Sequence, residues 1–340
     1  KCWCNAADVL AKARRASDLG MRIMIDFHYS DSWADPGKQF KPAAWTSLDL
    51  NGLKTAVANH TKDVLNLLKN NNITPEWVQV GNETGNGMLW DTGKASVSMA
   101  NYAALTTAGY DAVKEIFPSA KVIVHVHNGY DNGLFRWLFD GLKNNGGKWD
   151  VIGMSLYPGW YTVKNDWAAA NTACLANMND MVSRYNKEVM VVECGMSWDM
   201  AATCKNFLTD LIAKTKSVSN GKGLGVFYWE PQSYGQWNGY TLGAFDNSGK
   251  PTVALDAFRN STGMDQVTDN MLKILYSKAT KSIIFGETLK SVSIINAEGK
   301  LILIRENTNK LSTQQLSVGI YVVKAVSHSG EKLIRKIVIN

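Results

Sequence analysis

The sequence predicts an α/β fold, a (β/α)8 TIM barrel followed by a small all-β sandwich-like module, and three observations predict it. Six apolar, strand-forming runs alternate with segments of helical period. Polar and aromatic residues collect at the C-terminal end of every one of these runs, whereas a doubly wound sheet would gather its ligand groups mainly at one crevice. After Arg259 the helical period stops and short β-branched runs take over.

Residues 5–19 place apolar side chains at helical spacing and predict a helix. Met21-Arg-Ile-Met-Ile-Asp-Phe-His28 is a mostly apolar strand with polar residues at its end. Residues 53–68 put Leu53, Val57, Val64, Leu65 and Leu68 on one side of a second helix. A strand at 77–80 follows, then a helix at 102–116 stopped by Pro118. The alternation continues with strands at 121–127, 151–157, 189–194 and 225–229 and helices at 134–142, 175–185 and 202–215. Strands this uniformly apolar are expected to be buried on both faces, as in a parallel sheet. The polar stretch 260–270 predicts a linker, so the expected organisation is a barrel over 1–259, a linker over 260–270 and a β-rich module over 271–340. Within that module, strands are expected at 291–295, 301–304, 320–326 and 333–339, with turns at Glu298-Gly299 and Ser329-Gly330.

Composition narrows the function classes. Of the net charge of +6, the segment 265–340 holds +5, leaving the larger part nearly neutral and without an electrostatic reason to bind nucleic acid. No run approaches the ~18 uninterrupted apolar residues of a membrane helix. The cysteines at 2, 4, 174, 194 and 204 lack metal-ligand spacing, and no metal or other cofactor is expected. Cys174 and Cys204 are left open as a disulfide or as separate thiols. A monomer is expected. The excess is aromatic: 12 Trp and 12 Tyr, with Trp33, Trp45, Trp90, Trp160, Trp198, Trp229 and Trp237 in loops after strands. Each alone reads as packing; together they suit a sugar cleft, where flat rings stack on the C–H faces of pyranoses.

Two glutamates carry the chemistry. Glu83 ends Glu76-Trp-Val-Gln-Val-Gly-Asn-Glu83, and Glu193 ends Val189-Met-Val-Val-Glu193. A carboxylate where a buried strand meets solvent is awkward without a role. A pair on different strands suggests the acid/base (Glu83) and the nucleophile (Glu193) of a glycosidase. Asn82 is then placed to bond a sugar 2-hydroxyl, and Tyr157 to donate to Glu193 and keep it ionised. His28, His125 and His127 are further candidates. The last two share one strand face, and hydrogen bonding to substrate or satisfaction within the core is expected of them rather than metal binding. The polar loop at 30–37 presents Trp33.

Several runs resemble glycoside hydrolase family 53, the endo-β-1,4-galactanases. They are Asp26-Phe-His-Tyr-Ser-Asp-Ser-Trp-Ala-Asp-Pro-Gly-Lys-Gln39, Val78-Gln-Val-Gly-Asn-Glu83, Asn128-Gly-Tyr-Asp-Asn132, Tyr157-Pro158, Val191-Val-Glu193 and Gly225-Val-Phe-Tyr-Trp-Glu-Pro231. The resemblance implies a retaining endo-hydrolase acting on the β-1,4-galactan side chains of pectin. It implies Glu83 as acid/base, Glu193 as nucleophile, and His28, Trp33, Asn82, Asp131, Tyr157 and Trp229 as cleft residues. The alternatives are another retaining endoglycanase, a mannanase or glucanase, or a non-catalytic surface glycan-binding protein. Cys2-Trp-Cys-Asn5 resembles the segment after the family's second strand. The first two barrel strands, with an arginine near the nucleophile, are therefore expected to be missing and the sequence to be a fragment. Thr84-Gly85 stands where the family has a bulkier pair, and the short loop 232–242 offers no calcium-ligand cluster. The segment Leu316-Ser-Val-Gly-Ile-Tyr-Val-Val-Lys324, with the end of the chain, resembles the sorting domain of the Bacteroidetes type IX secretion system. This implies that machinery as a partner and a secreted or cell-surface location.

Overall fold

The computed structural model describes residues 4–259, 274–277, 281–330 and 332–339; Cys2 and the proposed linker 260–270 lie outside them. The chain divides into two compact units, Lys1–Gly263 and Met264–Asn340.

In the first unit, parallel strands β1 (Met24–Phe27), β2 (Trp77–Val80), β3 (Lys121–Val126), β4 (Val151–Leu156), β5 (Glu188–Cys194) and β6 (Gly223–Val226) lie side by side in chain order. That order has no reversal. Each strand is followed by its neighbour, which is the winding of a (β/α) barrel rather than of a doubly wound sheet. The helices are α1 (Ala6–Asp18), α2 (Leu50–Lys69), α3 (Met99–Ile116), α4 (Asn132–Asn144), α5 (Trp167–Tyr185), α6 (Ala201–Lys216) and the short α7 (Asp256–Arg259). The side chains of Asn5, Asp49, Ser98, Asp131 and Asp166 cap five of them by accepting a first-turn N–H. Helix α5 starts eight residues before the expected 175. Its opening Ala168-Ala-Ala-Asn-Thr-Ala173 is small and polar, so it shows no apolar stripe, and only the Asp166 cap marks the start.

Alternation sorts the strands into two cores. One face of the sheet, including Val78, Val80, Val122, Val124, Ile152 and Met154, packs with Leu65, Leu68, Phe135, Phe139, Phe207 and Leu211 of the helices. The other face forms a smaller cluster of Trp77, Ile123, Val151, Met190 and Val192. Both faces are buried, as the uniformly apolar runs implied. Two residues further along β2, β3 and β4 from Trp77, Ile123 and Gly153, the inward positions turn polar: Gln79, His125 and Ser155. Strand β6 lies two to three residues before its expected span, because a Cβ at Gly223 would stand 1.8 Å from the Thr215 carbonyl oxygen and only glycine lets the strand start there.

The second unit is antiparallel. Its strands are β7 (Ile274–Ser277), β8 (Ser282–Asn296), β9 (Leu301–Ser312), β10 (Gly319–Val326) and β11 (Lys332–Ile339). Strand β9 pairs along one edge of β8, while β7 and β10 share the other edge in succession. Alternate residues Val292 and Ile294, Tyr321, Val323 and Ala325, and Ile337 and Ile339 build its core. Gly299 and Gly330, with φ of +81° and +89°, supply the left-handed turn positions foreseen at those sites.

Candidate active site

The site grows out of the C-terminal ends of the strands. Beyond β2 the chain passes through Gly81 (φ +86°) to Glu83, which is itself left-handed at φ +47°. A glutamate rarely holds that conformation, and strain of this kind is retained where the surroundings over-determine it. A hydrogen bond from the Glu83 N–H to His125 Nδ1 (3.2 Å) and one from the Thr84 N–H to the His125 carbonyl (2.8 Å) hold it here. Thr84 Oγ1 is buried 2.6 Å from the Tyr102 hydroxyl. A Cβ at Gly85 would lie 2.3 Å from His127 Cε1, so the departure at Thr84-Gly85 is what admits the His127 ring.

Glu193 is aimed by a different device. Regular alternation after the inward Met190 and Val192 would turn Glu193 outward. The pairing of β4 with β5 slips instead: Met154 opposes Val191 but Ser155 opposes Glu193. The extra residue is a β-bulge, and it puts Glu193 on the same side as Ser155 and Tyr157. One carboxylate oxygen from each of Glu83 and Glu193 lies within 4.8 Å of the other.

Hydrogen bonds tie the neighbours into one network. Tyr157 donates its hydroxyl to Glu193 Oε1 (2.7 Å), as expected for it, and Ser155 Oγ is 2.6 Å from Glu83 Oε1. The Ala34 N–H donates to His28 Nδ1 (3.1 Å), which leaves Nε2 to carry the proton toward Asp26 Oδ2 at 3.2 Å. Gln79 donates to Asp26 Oδ1 (2.6 Å) and to Asn82 Oδ1 (3.2 Å), and Asn82 Nδ2 donates to the Ala34 carbonyl (2.8 Å). Asn82 thus helps anchor the loop that carries Trp33. Trp33 meets Trp229 edge-on at 5.8 Å and Trp237 at 5.6 Å; Trp229 meets Tyr240 at 4.6 Å, and Tyr240 adjoins Tyr157. Trp160, exposed, packs against Tyr157 at 4.6 Å. Of the sequence candidates, His28, Asn82, Glu83, Tyr157 and Glu193 come together, with Trp33 and Trp229 on the adjoining aromatic wall. Asp131 is exposed and caps α4 through the Leu134 N–H (3.0 Å). Sequence reasoning passed over Ser155, Gln79 and Tyr240. For Ser155 and Gln79 the signal was a polar residue at even spacing within an apolar strand.

Burial pushes both glutamates above the ordinary carboxylate range, and the charge of Glu83 pushes Glu193 up as well. Burial opposes charge on His28, but Asp26 and the two glutamates more than offset it and raise its pKa. Burial drives His125 down to about 3, so it is neutral. Glu83, His125 and Glu193 are the one metal-like trio among the described residues, yet both His125 nitrogens already face protein partners. The cysteines 4, 174, 194 and 204 are free, so Cys174 and Cys204 are separate thiols; Cys174 Sγ rests 3.5 Å from Met154 Sδ.

The raised carboxyl pKa values predict a pH-dependent stability. A carboxyl raised on folding stabilises the fold while protonated, and that contribution fades as pH climbs from about 4.5 toward about 8. Glu193→Gln keeps the neutral form at every pH. It is expected to be more stable than the parent by about 1–3 kcal/mol at pH 8, with the gap closing toward pH 4. Urea denaturation at the two pH values checks this; an equal gap at both would refute it.

Comparison with known proteins agrees with the geometry. Residues 1–258 match glycosyl hydrolase family 53, and residues 268–340 match a secretion system C-terminal sorting domain, which assigns the protein to a secreted or cell-surface location. An arabinogalactan endo-β-1,4-galactanase from Thermothelomyces thermophilus is 33% identical over 259 residues, covering 67% of this chain and 75% of that one. A solved structure from a pair of fungal β-1,4-galactanases superposes with a TM-score of 0.68 at 31% identity, covering 75% of this chain and 82% of that one. The family 53 catalytic domain of Ignisphaera aggregans gives 0.68 at 30% identity, covering 76% and 79%. The paired carboxylates at strand ends, the curled parallel sheet and the match over nearly all of the first unit converge: this chain belongs to glycosyl hydrolase family 53 and is a glycoside hydrolase.

Proposed function

We propose that the protein is an endo-acting, retaining hydrolase of β-1,4-galactan, the pectic arabinogalactan side chain, working by double displacement. The observation that carries the reading is the approach of the two carboxylates, an oxygen of each within 4.8 Å of the other. Retaining pairs sit roughly 5–5.5 Å apart, whereas inverting pairs need roughly 6.5–9.5 Å to admit a water. Glu193 attacks the anomeric carbon while Glu83 protonates the leaving oxygen, and a galactosyl–Glu193 ester results. Glu83, now ionised, takes a proton from the incoming water, which cleaves the ester and restores both groups. Burial and mutual repulsion raise both carboxyls, so the close pair shares one proton at neutral pH; the first step needs that proton on Glu83, and the Tyr157 hydroxyl on Glu193 Oε1 favours the ionised form of Glu193 that leaves it there. Trp33, Trp229 and Trp237 form the aromatic wall for pyranose rings. His28 and Asn82 line the polar side, and Asp131 stands exposed at the N-terminus of α4. The galactanase relatives support the choice of substrate. The sorting domain supports the type IX machinery as the export partner.

The test is reducing-sugar release from β-1,4-galactan, β-1,4-mannan and β-1,4-glucan, with the anomer of the first product read by proton NMR. Galactan cleavage to a β product is expected. An α product would overturn retention. Cleavage of mannan or glucan alone would make the protein another endoglycanase of the same catalytic design. Binding without cleavage would make it a surface glycan-binding protein.

A further inference from the structure

Double displacement uses the Glu83 carboxylate but assigns nothing to the two buried side chains beneath it. Ser155 Oγ lies 2.6 Å from Glu83 Oε1 and 2.7 Å from His125 Nε2. His125 Nδ1 lies 3.2 Å from the Glu83 N–H and 3.0 Å from Asn82 Oδ1. His125 and Ser155 are each 1% exposed. Among the described residues, no other protein group bonds the Glu83 carboxylate.

The proton count decides the direction of these bonds. A neutral imidazole carries one N–H, and a serine one O–H. With the proton on Nε2, every donor has an acceptor around a closed ring. The Glu83 N–H donates to Nδ1, the Nε2–H donates to Ser155 Oγ, and the Ser155 O–H donates to Glu83 Oε1. Asn82 Oδ1 keeps the hydrogen bond from Gln79. With the proton on Nδ1, that N–H turns toward Asn82 Oδ1, the buried Glu83 N–H faces another N–H, and Ser155 turns away from Oε1. Each form has one fault. With the proton on Nε2, Nδ1 and Asn82 Oδ1 face each other at 3.0 Å as two acceptors, though each takes a donor of its own, from Glu83 and Gln79. With the proton on Nδ1, the buried Glu83 N–H has no acceptor at all, which is the costlier fault, so the Nε2–H form is favoured.

In the favoured form Oε1 is occupied as an acceptor. A proton on Glu83 must then reside on Oε2. We propose that His125 and Ser155 are positioning residues that confine the transferable proton of Glu83 to Oε2, with the backbone N–H of Glu83 itself selecting the His125 tautomer that does so. The inference rests on the acid/base reading of Glu83. No proton leaves the ring during turnover: the one that moves goes from Oε2 to the leaving oxygen, and later from water back to Oε2.

Two measurements test it. The first is nitrogen-15 NMR of the histidine rings in the intact chain. A neutral His125 protonated on Nε2 is expected, and a proton on Nδ1 would overturn the inference whatever the activity. The second compares galactan, whose leaving group needs the acid, with a dinitrophenyl β-galactobioside, whose leaving group does not. Ser155→Ala is expected to lower kcat on galactan about 10- to 100-fold while changing the first-step rate on the aryl glycoside less than about 3-fold. Equal losses on both substrates would make Ser155 merely structural. Glu83→Ala is the control that separates the two readings. If it fails to discriminate between the substrates, the acid assignment itself falls. If it discriminates and Ser155→Ala does not, only the positioning inference falls.

Discussion

Glu193→Ala is expected to lower turnover of galactan on the order of 10^4-fold or more, equivalent to about 5.5 kcal/mol of transition-state stabilisation. The loss follows from geometry. The bulge in β5 puts a carboxylate oxygen of Glu193 within 4.8 Å of one of Glu83. Added azide separates nucleophile from acid. In Glu193→Ala it enters the space of the lost carboxylate and attacks from that face, so an activated β-galactoside should give the α-azide. In Glu83→Ala the ester on Glu193 still forms with a good leaving group, and azide then attacks from the opposite face to give the β-azide. Exchanged products would mean exchanged roles, and undiminished turnover in either variant would remove both glutamates from the chemistry.

Gly87→Ala is expected to destabilise the protein by about 3–5 kcal/mol and to lower kcat with it. The segment after Glu83 folds back on itself through bonds from Met88 N–H to the Gly93 carbonyl (3.1 Å) and from Ala95 N–H to the Asn86 carbonyl (3.1 Å). A Cβ at Gly87 would stand 2.0 Å from the Gly93 carbonyl oxygen and 2.6 Å from the Ala95 nitrogen, at a φ of +81°. The obstruction is backbone, which cannot swing aside as a side-chain tip would. Relief requires parting the two arms, and their buried N–H groups then lose partners at about 1–3 kcal/mol each. Because the segment begins at Glu83, the displacement reaches the carboxylate. Gly146→Ala is the control: its φ is +71° but nothing lies within 4 Å of the added carbon, so only the left-handed backbone term of about 1–2 kcal/mol remains. Urea unfolding of both variants checks the prediction; equal losses would mean that backbone conformation, not the close approach, governs Gly87.

The barrel strands and most helices were legible because their signals are local. The run Trp77-Val-Gln-Val80 became β2 to the residue, and the Leu53–Val57–Val64–Leu65–Leu68 stripe became the buried side of α2. Where the signal was not local, reading failed. The alanine-rich start of α5 has no stripe to read, and the start of β6 depends on the Thr215 carbonyl, eight residues earlier in the chain. Strand β7 escaped notice as a four-residue piece that exists by pairing with β8.

The candidate site divides the same way. Residue types at strand ends were enough to single out Glu83 and Glu193, and an aromatic excess was enough to suggest a sugar cleft, because chemistry at that level depends on which groups are present. Whether two carboxylates meet depends on backbone geometry that no periodicity encodes. Regular alternation would have sent Glu193 outward, and a bulge set by its pairing with β4 reversed it. Glu83 holds its left-handed φ with the help of His125, 42 residues further along the chain, which accepts the N–H groups of Glu83 and Thr84. By itself, then, the sequence determined the alternating fold, the two units' characters and the two candidate carboxylates, which follow from side-chain type and local period. The tertiary structure alone decided their orientation, their separation and the buried ring beneath Glu83, because each of these is a relation between strands and is encoded in neither partner alone.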